Sequence, residues 1–192
     1  MTQKVPKINS LEEIIVEERK KVRVKIEDYI SPTYNKIRDM QILNGKLVYI
    51  AKENTWNTIG KEFVVVDGKE HPKYNSIENP RNVPKHVNPV IEINGKICYI
   101  ARTDRGYVSV IDGVEGEKTY RWCSDGQEFE GHFFMYAFNE DKNELVEVHD
   151  GREEPLRKDD VDALLRIKNP SHLIFPERCI KAHLETIKKK KK

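Results

Sequence analysis

Three segments of this chain begin with glycine and reach an alanine six positions later through a mostly apolar run. They are 45–51, 95–101 and 131–137. Each is followed by a second hydrophobic run that ends in an aspartate-glycine pair, namely Asp67-Gly68, Asp112-Gly113 and Asp150-Gly151. An Asp-Gly pair after β-branched residues is typical of a hairpin turn, because glycine accepts a positive φ without steric cost. The sequence therefore predicts successive pairs of β-strands, and it predicts that these aspartates are turn residues rather than catalytic acids.

Further strands extend each pair into a larger unit. A Tyr-Asn-x-Ile element occurs at 34–37 and 74–77, with a weaker copy at 120–123, and strands such as 40–43 and 90–93 lead into the next glycine. Four short strands in roughly 40 residues match the size of a propeller blade. Counted from the Val-x-Val strand, complete units are predicted at about 22–52, 62–102 and 106–138, and they leave a lone strand at 144–149.

The glycine-initiated strands are apolar on both faces, which favours sheets stacked face to face. The segments Asn44-Gly45-Lys46 and Asn94-Gly95-Lys96, each opening an x-x-Tyr-x-Ala strand, resemble the WD-like repeats of TolB-type β-propellers. The resemblance covers about residues 22–151. It implies a mainly β, propeller-like array of about three four-stranded antiparallel units, and it implies nothing specific about activity.

Closed propellers have at least four blades, whereas this chain has three units and a strand. The alternatives are an open array, closure by the terminal segments, or closure by a homo-oligomer. An uncovered sheet edge promotes aggregation, so the terminal segments are candidates for covering it.

Short helices are predicted at both ends of the chain. Ser10 and Glu13 form a capping box before a helix at about 11–20. At the other end, a helix with apolar residues at 161–167 precedes a second helix that begins near Pro176 and carries an apolar stripe of Ile180, Leu184 and Ile187. The predicted division is an N-terminal helical segment (1–21), a β-repeat domain (22–152) and a C-terminal helical segment with a lysine tail (153–192). Docking of the helices on the β body is the main interpretation, and presentation of a partner-binding helix is the alternative.

Charge argues against a nucleic-acid function. The formal net charge is +2, and the terminal run Lys188–Lys192 contributes five positive charges, so the rest of the chain carries −3. Only this tail, expected to be disordered, suggests contact with phosphates. No apolar stretch reaches the length of a membrane span, and the N-terminus has no secretory pattern, so a cytoplasmic location is expected.

No catalytic, metal or cofactor site is predicted. The three cysteines are far apart, the six histidines form no metal-binding pair, and no phosphate-binding loop or nucleophile motif occurs. The carboxylates at 128–147 suit a solvated surface, although a hydrolytic pair assembled from loop carboxylates and histidines is an alternative.

One local feature favours binding. Compared with the first unit, the stretch before Gly95 is ten residues longer, and the extra residues contain three prolines and a basic group of Arg81, Lys85 and His86. Ordered loops on a β scaffold often bind partners. Trp56, in the connection of the first hairpin, is a further candidate contact residue. We therefore predict a non-enzymatic protein-interaction module that uses Trp56, Arg81, Lys85 and His86. The alternatives are the hydrolytic enzyme and an incomplete propeller that functions only as an oligomer.

Overall fold

The computed structural model describes residues 15–18, 21–26, 29–53, 60–78, 88–156 and 177–190. These residues form antiparallel β-sheets and one α-helix. The chain divides into two compact units, unit 1 (Met1–Ile77) and unit 2 (Glu78–Lys192). The mainly β class predicted from the sequence is confirmed.

Unit 1 contains two antiparallel meanders. The first has the strand order β1-β2-β3 and the second has the order β4-β5-β6-β7, so neighbours in the chain are neighbours in the sheet. The strands of unit 1 are β1 (Ile15–Glu18), β2 (Lys21–Ile26), β3 (Tyr29–Ile30), β4 (Lys36–Leu43), β5 (Lys46–Glu53), β6 (Lys61–Val66), β7 (Lys69–Glu70) and β8 (Ser76–Ile77).

Unit 2 has the same connectivity. One meander pairs β9 with β10, β10 with β11 and β11 with β12, and the next has the order β13-β14-β15-β16. The elements of unit 2 are β9 (Val90–Ile93), β10 (Lys96–Arg102), β11 (Tyr107–Ile111), β12 (Val114–Glu115), β13 (Gln127–Phe129), β14 (His132–Asn139), β15 (Glu144–His149), β16 (Arg152–Pro155) and α1 (Glu177–Lys190).

The three Asp-Gly pairs form the predicted two-residue turns. The aspartates have φ between 47° and 49° and the following glycines between 77° and 83°, as a type I′ turn requires. Each carboxylate also accepts a backbone N–H from the neighbouring strand, and the aspartate N–H donates to the carbonyl of that same residue. The N–H···carboxylate distances are 2.8 Å from Leu47 to Asp67, 2.8 Å from Ile97 to Asp112 and 2.9 Å from Phe133 to Asp150. The assignment of these aspartates as turn residues is confirmed.

Two substitutions at Asp112 test the combined contribution of its positive φ and its side-chain acceptor. Asparagine tolerates the positive φ of 49° and keeps a side-chain oxygen for the Ile97 N–H, so Asp112→Asn should change stability by less than about 0.5 kcal/mol. Alanine has neither property, and Asp112→Ala should lose about 2 kcal/mol. Urea unfolding of both variants measures the difference, and equal stabilities would contradict the assigned hydrogen bond.

The core of unit 1 shows why the predicted unit boundaries are wrong. Tyr34 pairs with Val22 of β2, whereas Ile37, three residues later, pairs with Ala51 of β5. The Tyr34 ring is buried, and its centre lies 5.6 Å from the centre of the Phe63 ring. The Tyr-Asn-x-Ile element therefore crosses from one sheet to the next, and a unit that runs from 22 to 52 mixes strands of two sheets.

Two further predictions are corrected by strand pairing. Residues 15–18 do not belong to an N-terminal helix but form β1, with Ile15 opposite Val24 and Val16 opposite Arg23. These β-branched residues suit a strand, and the partner strand outweighs the local helix signal. The strand at 144–149 is not alone, because β15 pairs with β14 on one side and β16 on the other.

The predicted C-terminal helix is confirmed as α1. The helix includes residues 188–190, so this part of the lysine run is helical rather than disordered. The helix expected at 161–167 lies outside the described residues, and the division at 21/22 and 152/153 stays a prediction. Within the described part of the chain, no helix is both long and apolar enough to cross a membrane.

Candidate functional site: a cleft in unit 2

The residues predicted to bind a partner, Trp56, Arg81, Lys85 and His86, all lie outside the described residues. The basic loop leaves the described chain after Glu78 and rejoins it at Asn88. Glu78 itself lines the cleft described below.

An open cleft of about 930 Å³ lies in unit 2. It is built from three stretches that are distant in sequence, namely the connection between β10 and β11, the segment after β12, and the connection between β14 and β15. The lining residues are Glu78, Ile100, 102–107, 117–123, Asp125, 138–141 and Glu153. A volume in this range suits a small ligand or a few residues of a peptide.

The first wall is a tight turn fixed by Thr103 and Gly106. The Thr103 hydroxyl accepts a hydrogen bond from the Arg105 N–H (3.1 Å) and donates one to the Gly106 carbonyl (3.0 Å). Gly106 has φ +140°, and a Cβ at this position would lie 2.5 Å from the carbonyl oxygen of Tyr120. The contact exists because Tyr107 and Tyr120 exchange backbone hydrogen bonds of 2.7 and 2.8 Å. Only glycine fits this turn.

The floor of the cleft is centred on Glu153 of β16, whose side chain is 9 % exposed. Its carboxylate accepts hydrogen bonds from the ammonium groups of Lys118 (2.9 Å) and Lys142 (2.9 Å) and from the amide of Asn139 (2.7 Å). Burial by itself would raise the pKa of Glu153, but the three donors outweigh it and lower the pKa from 4.5 to about 2. The carboxylate is therefore ionised at neutral pH and ties β16 to the segment after β12 and to the β14–β15 connection.

The β9–β12 sheet and the β13–β16 sheet touch next to this floor. A Cβ on Gly116 would lie 3.2 Å from the Gly151 Cα, and one on Gly151 would lie 3.0 Å from the Gly116 Cα. Lys118 and Glu153 each follow one of these glycines by two residues and form the first contact beyond them.

Aromatic rings and a thiol line the cleft. The guanidinium of Arg102 lies 5.9 Å from the centre of the Tyr107 ring and pairs with Glu78 at 3.5 Å. Burial raises the pKa of both Tyr107 and Tyr120. Burial also raises the pKa of the Cys123 thiol, with a smaller contribution from nearby carboxylates, so this thiol is protonated at neutral pH.

Acidic side chains outnumber basic ones in the lining. Seven carboxylates face four basic groups, and three of the four basic groups are paired within the cleft: Arg102 with Glu78, Lys118 with Glu153, and Arg121 with Glu140. Burial raises the pKa of a further carboxyl group, Asp125. Excess negative charge on a partly buried surface attracts a cationic ligand.

The described residues contain no group of three or more histidine, cysteine, aspartate or glutamate side chains arranged to hold a metal ion. Sequence reasoning missed the cleft, because its lining comes from separate stretches. The weak Tyr120–Cys123 element was the one signal available, since all four of its residues line the cleft.

Described by fold and site, the chain belongs to the class of mainly β proteins built from antiparallel meanders, with a polar and aromatic cleft between two sheets of unit 2. Comparisons with protein families, with curated proteins and with solved structures found no match.

Proposed function

We propose that this chain is a non-enzymatic protein-interaction module and that the cleft of unit 2 binds a positively charged segment of a protein partner. The observation that supports this most strongly is an open cavity of about 930 Å³ whose walls combine aromatic rings with an excess of carboxylates. Carboxylates hold Lys and Arg side chains by charge-assisted hydrogen bonds, and the partly buried rings of Trp122 and Tyr107, which line the cleft, add cation–π contacts.

The polar groups of the cleft support binding rather than reaction chemistry. Three donors form hydrogen bonds with the Glu153 carboxylate, and Arg121 is paired with Glu140. Cys123 is held as a thiol, which is a poor nucleophile. A site in which charged groups already satisfy one another offers shape and electrostatic complementarity, and these properties give specificity to a binding surface.

We propose for the architecture that the meanders form a propeller-like array of the WD-like type. Support comes from the turns, because the same aspartate clamp recurs at Asp67, Asp112 and Asp150. Sheets with both faces buried also support it, as in β5, where Leu47 to Ala51 are all buried. In the described part of the chain no sheet closes on itself.

Charge reversal on the cleft tests the proposed function. Glu117 and Asp141 are exposed lining residues, so the double variant Glu117→Lys/Asp141→Lys should fold normally and weaken partner binding at least tenfold. The matched control is Glu115→Lys/Glu154→Lys, which makes the same charge change in unit 2 at exposed positions outside the lining. The measurement is an affinity pull-down, followed by calorimetric titration of the captured partner.

Two other outcomes have defined meanings. The first outcome concerns the triple variant in which Arg81, Lys85 and His86 are replaced by alanine. If this variant loses partner capture while the cleft double variant binds normally, the basic loop is the binding site and the cleft assignment is wrong. Cleavage of the bound partner during the titration would instead support the hydrolytic alternative, with the raised pKa of Asp125 identifying a candidate general acid.

A further inference from the structure

Helix α1 packs on the face of the β13–β16 sheet that points away from the β9–β12 sheet. Alternate residues of β14 point to opposite faces, so Phe133, Met135 and Ala137 enter the core shared with the β9–β12 sheet, whereas Phe138 faces α1. The contact with α1 is an apolar cluster of Phe138, Leu145 and Cys179, flanked by Trp122, Tyr136, Leu156, Ile180 and Ala182. Two members of this cluster, Trp122 and Phe138, also line the cleft.

One polar contact is buried in this interface. The backbone N–H of Leu145 donates a hydrogen bond of 3.1 Å to Nδ1 of His183, whose side chain is 5 % exposed. The position follows from the strand register. β16 ends at Pro155, which is opposite Val146, so β16 provides no strand residue opposite Leu145. His183 therefore supplies the acceptor for the Leu145 N–H that β16 does not provide.

This hydrogen bond requires an unprotonated Nδ1. A proton on Nδ1 would place an N–H against the buried N–H of Leu145, so the hydrogen bond would be lost. Undocking of the helix relieves this conflict, because the imidazole and the Leu145 amide then contact water.

Charged and titratable groups also lie on the elements around His183. β15 carries Glu144, Glu147 and His149, and the Glu147 carboxylate is 3.1 Å from His149 Nε2. The β14–β15 connection carries Glu140, Asp141 and Lys142, of which Glu140 pairs with Arg121 and Lys142 with Glu153. Glu153 and Glu154 lie on β16, Cys123 and Asp125 follow Trp122, and α1 itself carries Cys179, Lys181, Glu185 and Lys189.

We propose that α1 is a pH-sensitive latch, docked on β15 while His183 is neutral and released when His183 is protonated. Release uncovers Phe138 and Leu145 and frees Trp122 and Phe138 from their helix contacts, which changes a wall of the cleft. The latch itself does not depend on the proposed function, whereas its effect on partner binding does.

The direction and size of the pH effect follow from linkage. A solvent-exposed imidazole takes up a proton near pH 6.5, and the docked His183 cannot do so without losing its hydrogen bond. Docking is therefore strongest above about pH 6.5, and it weakens about tenfold for each pH unit below that value.

Hydrogen exchange of the full-length chain tests the latch. After correction for the intrinsic exchange rates, protection factors of amides in α1 should fall about tenfold per pH unit between pH 6.5 and 5, while those in β5 of unit 1 stay constant. In His183→Asn the Asn Oδ1 occupies the position of Nδ1 and accepts the same hydrogen bond without titrating, so the slope should disappear. Protection of α1 that is flat with pH in the wild type, or an equal slope in His183→Asn, would overturn the proposal.

Partner binding supplies a separate readout. If the cleft functions as proposed, the affinity of wild type for the captured partner should change between pH 7.5 and 5.5, and that of His183→Asn should change less. An exchange slope without any change in affinity leaves the latch intact and refutes only its coupling to the cleft.

Discussion

Replacement of Gly106 by alanine is expected to lower the free energy of unfolding of unit 2 by about 3 kcal/mol or more. The φ of +140° lies in a region that is essentially confined to glycine, and a Cβ would stand 2.5 Å from the backbone oxygen of Tyr120. A backbone atom cannot rotate away as a flexible side chain can. The Tyr107–Tyr120 pairing would have to open, and one wall of the cleft would move with it.

Gly131→Ala is the matched control for this prediction. Gly131 also belongs to unit 2 and has φ +80°, but the nearest atom to its Cβ would be the terminal amide nitrogen of Asn94 at 3.2 Å, which can shift. Backbone strain alone predicts a loss of about 1–2 kcal/mol there. The chain contains two tryptophans, so Trp56→Phe leaves Trp122 as the fluorescence reporter of unit 2 during urea unfolding. Equal losses in the two variants would contradict the steric argument at Gly106.

Substitution of Glu153 by glutamine is expected to cost about 1–2 kcal/mol at pH 7, because Lys118 and Lys142 lose their charged acceptor. Glutamine has nearly the same shape, but it removes the negative charge that balances Lys118 and Lys142 at the floor of the cleft. The cost comes from the loss of two charge-assisted hydrogen bonds to a largely buried carboxylate, whereas the ammonium groups of Lys118 and Lys142, whose side chains are 44 % and 52 % exposed, stay solvated in the variant. The neighbouring substitution Glu154→Gln, at an exposed position of β16, should change stability by less than about 0.5 kcal/mol.

The same variant predicts a pH dependence. The pKa of Glu153 is lowered from 4.5 to about 2 in the folded protein, so its stabilising contribution is complete above about pH 5 and is lost as the pH falls towards 2. The difference between wild type and Glu153→Gln should therefore shrink steadily over that interval. Urea unfolding at pH 7, 4 and 2.5 measures it, and a difference that is independent of pH would show that the charge of Glu153 is not responsible.

Both predictions concern residues that fix the shape of the cleft. Gly106 permits the close approach that forms one wall, and Glu153 joins the segment after β12 to the β14–β15 connection and β16. A partner segment that enters the cleft meets side chains whose positions are already fixed. Preorganisation of this kind reduces the conformational entropy lost on binding.

Features that depend on a few adjacent residues could be predicted from the sequence. The Asp-Gly turns were identified because the backbone conformation of a type I′ turn is encoded by the two residues that occupy it. Helix α1 was identified because its first-turn proline signal and its apolar spacing lie within one short segment. The mainly β class followed from the apolar strands between the turns.

Sheet membership could not be predicted in the same way. Ile15 and Val16 follow a helix capping signal, yet they pair with Val24 and Arg23, because a strand partner stabilises the extended form and is invisible to local pattern. The lone strand predicted at 144–149 became the inner strand β15 for a similar reason, since the polar edge strand β16 carries no hydrophobic alternation.

By itself, the sequence determined the Asp-Gly turns and the apolar strands on either side of them, because glycine and aspartate set backbone dihedral angles locally. Only the tertiary structure decided which strands share a sheet and where the cleft lies. The lysines around Glu153, the tyrosine carbonyl against Gly106 and the histidine acceptor for Leu145 come from separate stretches of the chain. Their contacts depend on long-range packing, which no local periodicity records.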